Sequence, residues 1–164
     1  MTTRTLAIKE ITAENVAPYG TLVTRSAAEP AFSSDEFDFW NELAVDETFG
    51  ALSVGMVEAR AQELTASTFE RHAGTSELLA PLDGDVIIVL GEPTSGGPDV
   101  EKFEAFRLRA GSAILLGIGT WHFAPMTRDG TVAVLVVFRK GTPDNDMEIH
   151  RIDEELGAEF HIIE

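Results

Sequence analysis

Two carboxylates and two imidazoles crowd the middle of the chain. Glu70, His72 and Glu77 lie within Glu70-Arg71-His72-Ala73-Gly74-Thr75-Ser76-Glu77, and His122 closes the segment Gly111 to His122. Such a set suits a divalent transition metal held by nitrogen and oxygen. It equally suits general acid–base catalysis, because histidine and a perturbed glutamate both exchange protons near neutral pH. Singly, each residue has a plainer reading: Glu70 as an exposed strand charge, Glu77 as the solvated end of a turn, His72 and His122 as satisfied structural histidines. Four together at this spacing favour a site.

The elements that carry them must be strands. Alternate side chains of a strand share a face, so from Leu64 to His72 one face holds Leu64, Ala66, Thr68, Glu70 and His72. Arg71 falls on the other face, in an outer salt bridge or a subunit contact. Glu77 follows an Ala-Gly-Thr-Ser turn, and His122 follows Gly117-Ile118-Gly119, where glycine permits close backbone approach. Between them run the apolar stretches Val86 to Leu90 and Phe103 to Leu108. The expectation is two ligand-bearing strand-and-turn pieces of one β-barrel, with side chains meeting inside.

Further strands are expected at 52–57, 84–90, 102–109, 112–116, 131–138 and 148–152, and residues 1–9 read as an edge strand or extended arm. Thr12 caps a short helix over 12–17, and 153–157 is a helical turn. Residues 25–38 form a polar loop packing only through Phe32, Phe37 and Phe39, 91–99 a hairpin-type loop, and 141–146 a turn. Many short strands with little helix define a mainly all-β chain, a sandwich or barrel. The 164 residues suit a single domain over 1–164.

Composition narrows the partners. A net charge of −16 argues against nucleic acid and anionic membranes. No apolar run reaches membrane-spanning length, and the opening Met-Thr-Thr-Arg-Thr-Leu-Ala lacks a signal-peptide core, so the expected location is cytoplasmic. With no cysteine, disulfides and thiolate metal ligands are excluded.

The spacing resembles the cupin family of double-stranded β-helix (jelly-roll) barrels. His72, Glu77 and Gly84 match the end of the first cupin motif, and Gly111, Gly119 and His122 the second. Glu70 stands where the first motif usually has histidine, and Gly117 where the second usually has proline. More closely, the chain resembles the ureidoglycolate lyase family within those cupin-like proteins, through Ala17-Pro18-Tyr19-Gly20, Glu70-Arg71-His72, Gly74-Thr75, Trp121-His122 with Pro125, and Arg139, Gly141, Asp144 and Asn145. It departs at Phe39 and Asn41, where the family tends to carry arginine and histidine, and that departure bears on substrate identity.

The resemblance implies an enzyme, a carbon–nitrogen lyase of allantoin and purine catabolism that splits ureidoglycolate into glyoxylate and urea, acting as a homodimer. It implies Glu70, His72 and His122 as catalytic groups, and His72, Glu77, His122 and Glu70 around a possible divalent transition metal. A bidentate arginine would clamp the substrate carboxylate; Arg60, Arg107 and Arg139 are the candidates, and Trp121 is a candidate pocket wall, although a tryptophan at a turn is more often plain packing. His150 and His161 are expected on the surface. Two other classes remain open: a metal-dependent cupin acting on another small carboxylic acid, and a non-catalytic small-molecule-binding cupin.

Overall fold

The computed structural model describes residues 1–26 and 28–164. Two sheets dominate it. The larger has eight strands in the order Glu148–Arg151, Thr68–Arg71, Trp121–His122, Val86–Gly91, Phe103–Leu108, Thr2–Glu10, Ala158–Ile163 and Thr65–Ala66. The smaller has five: Gly20–Val23, Ala113–Leu116, Glu77–Pro81, Thr131–Arg139 and Leu52–Arg60. The mainly-β barrel expectation holds.

Hydrophobic patterning explains the layers. One core cluster lies between the sheets, with Leu79, Ile114 and Val134 from the smaller meeting Ile88, Leu90 and Phe106 from the larger. A second lies on the other side of the larger sheet, where Phe69, Val89, Phe103 and Trp121 pack on Ile152 and Phe160. Val86–Gly91 is therefore buried on both faces, which is why it reads as a continuous apolar run rather than an alternating one.

Several expectations need correction. Residues 2–10 are no edge arm: Thr2–Glu10 is flanked by Phe103–Leu108 and Ala158–Ile163, parallel to both. Glu77 follows its turn as expected, but it is buried rather than solvated: it opens the strand Glu77–Pro81, flanked by Ala113–Leu116 and Thr131–Arg139. The strand expected over 64–72 is interrupted at Ser67, whose carbonyl accepts from the Ile152 amide at 2.8 Å. The expected turn at 141–146 contains the helix Thr142–Asn145, entered through left-handed Gly141 with proline in its first turn. Phe32, Phe37 and Phe39 are exposed rather than packed, carried by a small hairpin of Phe32–Ser33 and Asp38–Phe39. The short helices Ala13–Val16, with Thr12 as its side-chain cap, and Ile152–Glu155 fall where expected.

Candidate active site

The acidic and imidazole groups arrive on adjacent strands. Glu70 and His122 are register partners. His72 follows the end of the Glu70 strand, and its carbonyl accepts from the Gly119 amide at 2.8 Å, tying the two motif turns together. Alternation sends Glu70 and His72 inward, while Phe69 enters the second core cluster and Arg71 points away from the cavity.

Both imidazoles are pinned through Nδ1. His72 Nδ1 lies 2.7 Å from the carbonyl of Asp146, and His122 Nδ1 lies 3.0 Å from the carbonyl of Thr120. A carbonyl only accepts, so each Nδ1 carries the proton and each Nε2 is turned inward. His72 Nε2 sits 2.8 Å from Glu77 Oε2. His122 Nε2 sits 3.2 Å from Glu77 Oε2 and 3.4 Å from Glu70 Oε1, yet it is buried without a well-aligned hydrogen bond.

The electrostatics follow. Burial would raise the Glu77 carboxyl, but the His122 and His72 rings outweigh it and pull the pKa down to about 2. Burial would lower His122, but the Glu77 and Glu70 carboxylates outweigh it and push it up to about 10. His72 is likewise raised, against its burial, by the hydrogen bond to Glu77. Without a cation, this is an ion cluster of imidazolium and carboxylate. The same atoms fit a metal: one ligand atom each from Glu70, His72 and His122 lies within 4.8 Å of the others, and Glu77 Oε2 sits beside both Nε2 atoms. Anchoring Nδ1–H on main-chain carbonyls is also how metal-ligating histidines are oriented. The buried, unbonded Nε2 of His122 is the atom such an ion would satisfy.

The cavity in front of these groups has a volume of about 230 Å³. Glu70, Glu77 and His122 supply its polar side chains, and Met56, Val57, Leu79, Pro125, Val136 and Phe138 much of the rest; no arginine lines it. The arginine candidates stand elsewhere. Arg60 is exposed and pairs with Glu58 at 2.8 Å. Arg107 pairs with Glu164 at 2.7 Å, around a different depression. Arg139 lies beside the loop that follows His72, but the inward row of its strand is Val132, Val134 and Val136, so alternation puts Arg139 on the outer face, 3.3 Å from Asp146. Trp121 does not wall the cavity: it is the strand neighbour of His122 and therefore faces the other way, into the second core cluster. There its Nε1–H donates to Thr94 Oγ1 at 3.0 Å, and the Arg71 guanidinium lies 4.4 Å from the ring centroid. Among the expected surface histidines, His161 is exposed and His150 partly buried between Glu155 and Glu148.

Asp146 is the residue that sequence reasoning missed. Its carboxylate accepts from the amides of Ala73 and Gly74 at 2.8 and 2.9 Å, and its carbonyl orients His72. A Cβ on Gly74 would meet the far end of the flexible Arg139 side chain at 2.4 Å and the Asp146 carboxylate at 3.1 Å, so a larger residue there would displace Arg139 and press on Asp146. Gly55 was also overlooked, although a glycine inside a strand is a signal of close approach.

Fold and site together define a β-barrel with a mixed imidazole–carboxylate centre in its interior. The profile of the family described as ureidoglycolate lyase matches residues 3–159. The chain belongs to that ureidoglycolate lyase family. It is 26% identical to a ureidoglycolate lyase of Pseudomonas putida (strain W619) over 93% of this chain and 95% of that one. It is 28% identical to one of Pseudomonas fluorescens (strain Pf0-1) over 93% and 96%. Among solved structures, RmlC from Streptococcus suis is similar at a TM-score of 0.46 and 17% identity, covering 66% of this chain and 59% of that one. Oxalate decarboxylase from Bacillus subtilis is similar at 0.44 and 13%, covering 65% and 25%. No described helix is long and apolar enough to cross a membrane.

Proposed function

We propose that this protein is a ureidoglycolate lyase-like enzyme that cleaves a 2-hydroxy-2-ureido acid to glyoxylate and urea. The observation that carries the reading is the convergence of two pinned imidazoles with Glu77 and Glu70 on one cavity, in a chain of this family. The reaction needs a base for the carbinol proton, a proton for the departing nitrogen, and positive charge opposite the substrate carboxylate. Glu70 is the proton-transfer group: it lies at the cavity, less enclosed than Glu77. It takes the hydroxyl proton as the C2–O double bond forms and the C2–N bond breaks, and passes that proton to the released nitrogen, which leaves as neutral urea. Glu77, held between the imidazoles, stays ionised and keeps them aligned.

With no arginine in the cavity, positive charge at the site comes from the imidazoles or from a divalent metal held by His72, His122, Glu77 and Glu70. Such an ion would supply Lewis acidity toward the carbinol hydroxyl. The reading extends to a role in allantoin breakdown, a cytoplasmic location and a homodimer; the exposed apolar side chains of Leu52, Val54 and Met56, in one outward row, support a second copy. The test is release of glyoxylate and urea from ureidoglycolate by the purified protein, with elemental analysis of bound metal. A protein inert on ureidoglycolate refutes the reading.

A further inference from the structure

The cavity touches a sheet edge whose main chain is free. Among the described residues, Leu52–Arg60 is the outermost strand of the smaller sheet, paired with Thr131–Arg139 alone. At either end of that pairing, the Lys140 amide donates to the Ala51 carbonyl at 2.7 Å and the Ala61 amide to the Gly130 carbonyl at 2.8 Å. In an antiparallel pair, hydrogen-bonded and non-bonded partners alternate. With the register Leu52↔Arg139 through Arg60↔Thr131, the odd residues Ser53, Gly55, Val57 and Ala59 turn their N–H and C=O groups to the neighbour. The even residues Val54, Met56 and Glu58 turn theirs outward. Among the described residues no hydrogen bond outside the strand takes up the Met56 amide.

Gly55 and Met56 both line the cavity that holds Glu70, Glu77 and His122. Gly55 belongs to the inward-facing row with Val57 and Ala59, and a Cβ built there would meet nothing nearer than the Val136 carbonyl oxygen at 4.0 Å. The missing side chain is thus space within the cavity, not a packing requirement. A glycine inside a strand costs stability relative to alanine and often marks a place where a ligand approaches the backbone. Met56 sends its side chain to the outer face, where it is 61% exposed, and so offers the cavity rim its main chain.

We infer that the free N–H and C=O of Met56, beside the space left by Gly55, bind the ureido end of the substrate by strand-edge pairing. This rests on the ureido-acid reading above. The chemistry matches: the terminal –CO–NH2 of a ureido group places one acceptor and one donor side by side, as a strand residue places its own N–H and C=O. Edge pairing of this kind is how sheets take up extended peptides. It also supplies polar partners that the apolar side chains of the cavity lack, and leaves the carboxylate and carbinol ends for the imidazole–carboxylate centre.

The test uses two probes on the protein as purified: N-carbamoylglycine, a ureido acid without the carbinol hydroxyl and so not cleavable, and glyoxylate, which has no ureido group. Affinities are read by titration calorimetry. Met56→Pro deletes only an outward-facing N–H, which an edge strand tolerates. It should weaken N-carbamoylglycine roughly 2- to 12-fold, the effect of one hydrogen bond, and leave glyoxylate unchanged. Val54→Pro deletes an equivalent edge N–H away from the cavity and should change neither. Gly55→Ala and Gly55→Val should weaken N-carbamoylglycine progressively, with glyoxylate retained, and they test the inference even if the proline variant does not fold. Equal weakening by Val54→Pro and Met56→Pro, or N-carbamoylglycine binding indifferent to the Gly55 substitutions, overturns the inference. So does a Met56→Pro protein that binds the probe normally but turns from dimer to monomer, since the edge then belongs to a partner strand. A wild-type protein that binds N-carbamoylglycine through Gly55 and Met56 yet leaves ureidoglycolate intact refutes the lyase reading alone.

Discussion

Asp146 is expected to hold the His72 loop in place, and its removal can be valued from the structure. Its carboxylate takes two main-chain amides, Ala73 at 2.8 Å and Gly74 at 2.9 Å, and one longer contact to Arg139 at 3.3 Å. Hydrogen bonds to a charged group contribute roughly 1.5–3 kcal/mol each. The side chain is 14% exposed, so water replaces part of the loss in Asp146→Ala, and the lower end applies: about 3 kcal/mol for the two amides. In a domain of this size that lowers the melting temperature by roughly 6–12 °C. Asp146→Asn keeps one acceptor but turns an NH2 group toward the second amide, so its loss should fall between those of wild type and Asp146→Ala. Removing Arg139 instead should cost under about 1 kcal/mol, as for a half-exposed pair. The main-chain carbonyl that orients His72 survives in Asp146→Ala, so metal affinity should fall only as far as the loosened loop lets it shift, by less than the roughly 10- to 100-fold seen when an orienting group is itself removed. Urea unfolding followed by circular dichroism, with competitive metal titration, measures both. An Asp146→Ala protein within about 1 kcal/mol of wild type, or an Asn variant as stable as wild type, refutes the reasoning.

The double replacement His72→Ala and His122→Ala should abolish stoichiometric metal in elemental analysis; unchanged content would remove the site. Glu70→Gln should cut turnover of ureidoglycolate by ~10² or more while leaving glyoxylate binding nearly intact, and near-normal turnover would retire Glu70 as the proton carrier. The metal-free protein should lose stability at both pH extremes. Glu77, depressed to about 2, stabilises above its ordinary 4.5, and that contribution disappears as pH falls toward 2. His122, raised to about 10, stabilises fully below 6.5, and that contribution disappears as pH rises through 10. These are two sides of one interaction, so Glu77→Gln should flatten both limbs of a melting-temperature profile; limbs that persist would place the dependence elsewhere. Trp121→Phe should cost about 1–2 kcal/mol through the lost Thr94 hydrogen bond and weaker Arg71 stacking, with turnover within about twofold; a large kinetic defect would return Trp121 to the pocket.

Period-two alternation was enough to send Glu70 and His72 inward and Arg71 away, because those positions obey local backbone geometry. The same rule misleads where the barrel has two cores. Trp121 reads from sequence either as a wall of the His122 pocket or as plain packing, and the structure decides for packing, because a strand between two cores gives neighbouring side chains different interiors. Charge and strand position single out the arginines, but which face of Thr131–Arg139 turns inward depends on what packs against it, and that is non-local. Asp146 was invisible because its role is to accept amides 72 and 73 residues away. The strand Glu77–Pro81 was hidden by its proline, which register places opposite Val134. Gly55 was legible in principle, as a glycine inside a strand pattern.

The strand Thr2–Glu10 lies between Phe103–Leu108 and Ala158–Ile163 and runs parallel to both, and this sets the order in which the barrel can assemble. During synthesis the segment emerges before both of its partners, the nearer of which follows about a hundred residues later. Its second flank is completed only by the last strand described. Pairings of such sequence separation fold slowly, since the loop-closure entropy precedes any gain in contacts. Thr2–Glu10 therefore spends translation as an unpaired strand carrying Leu6 and Ile8. Arg4, on the same face as Leu6 and Ile8, and Lys9, on the opposite face, then do a second job, placing charge on a ribbon that would otherwise be open to pairing with neighbouring chains.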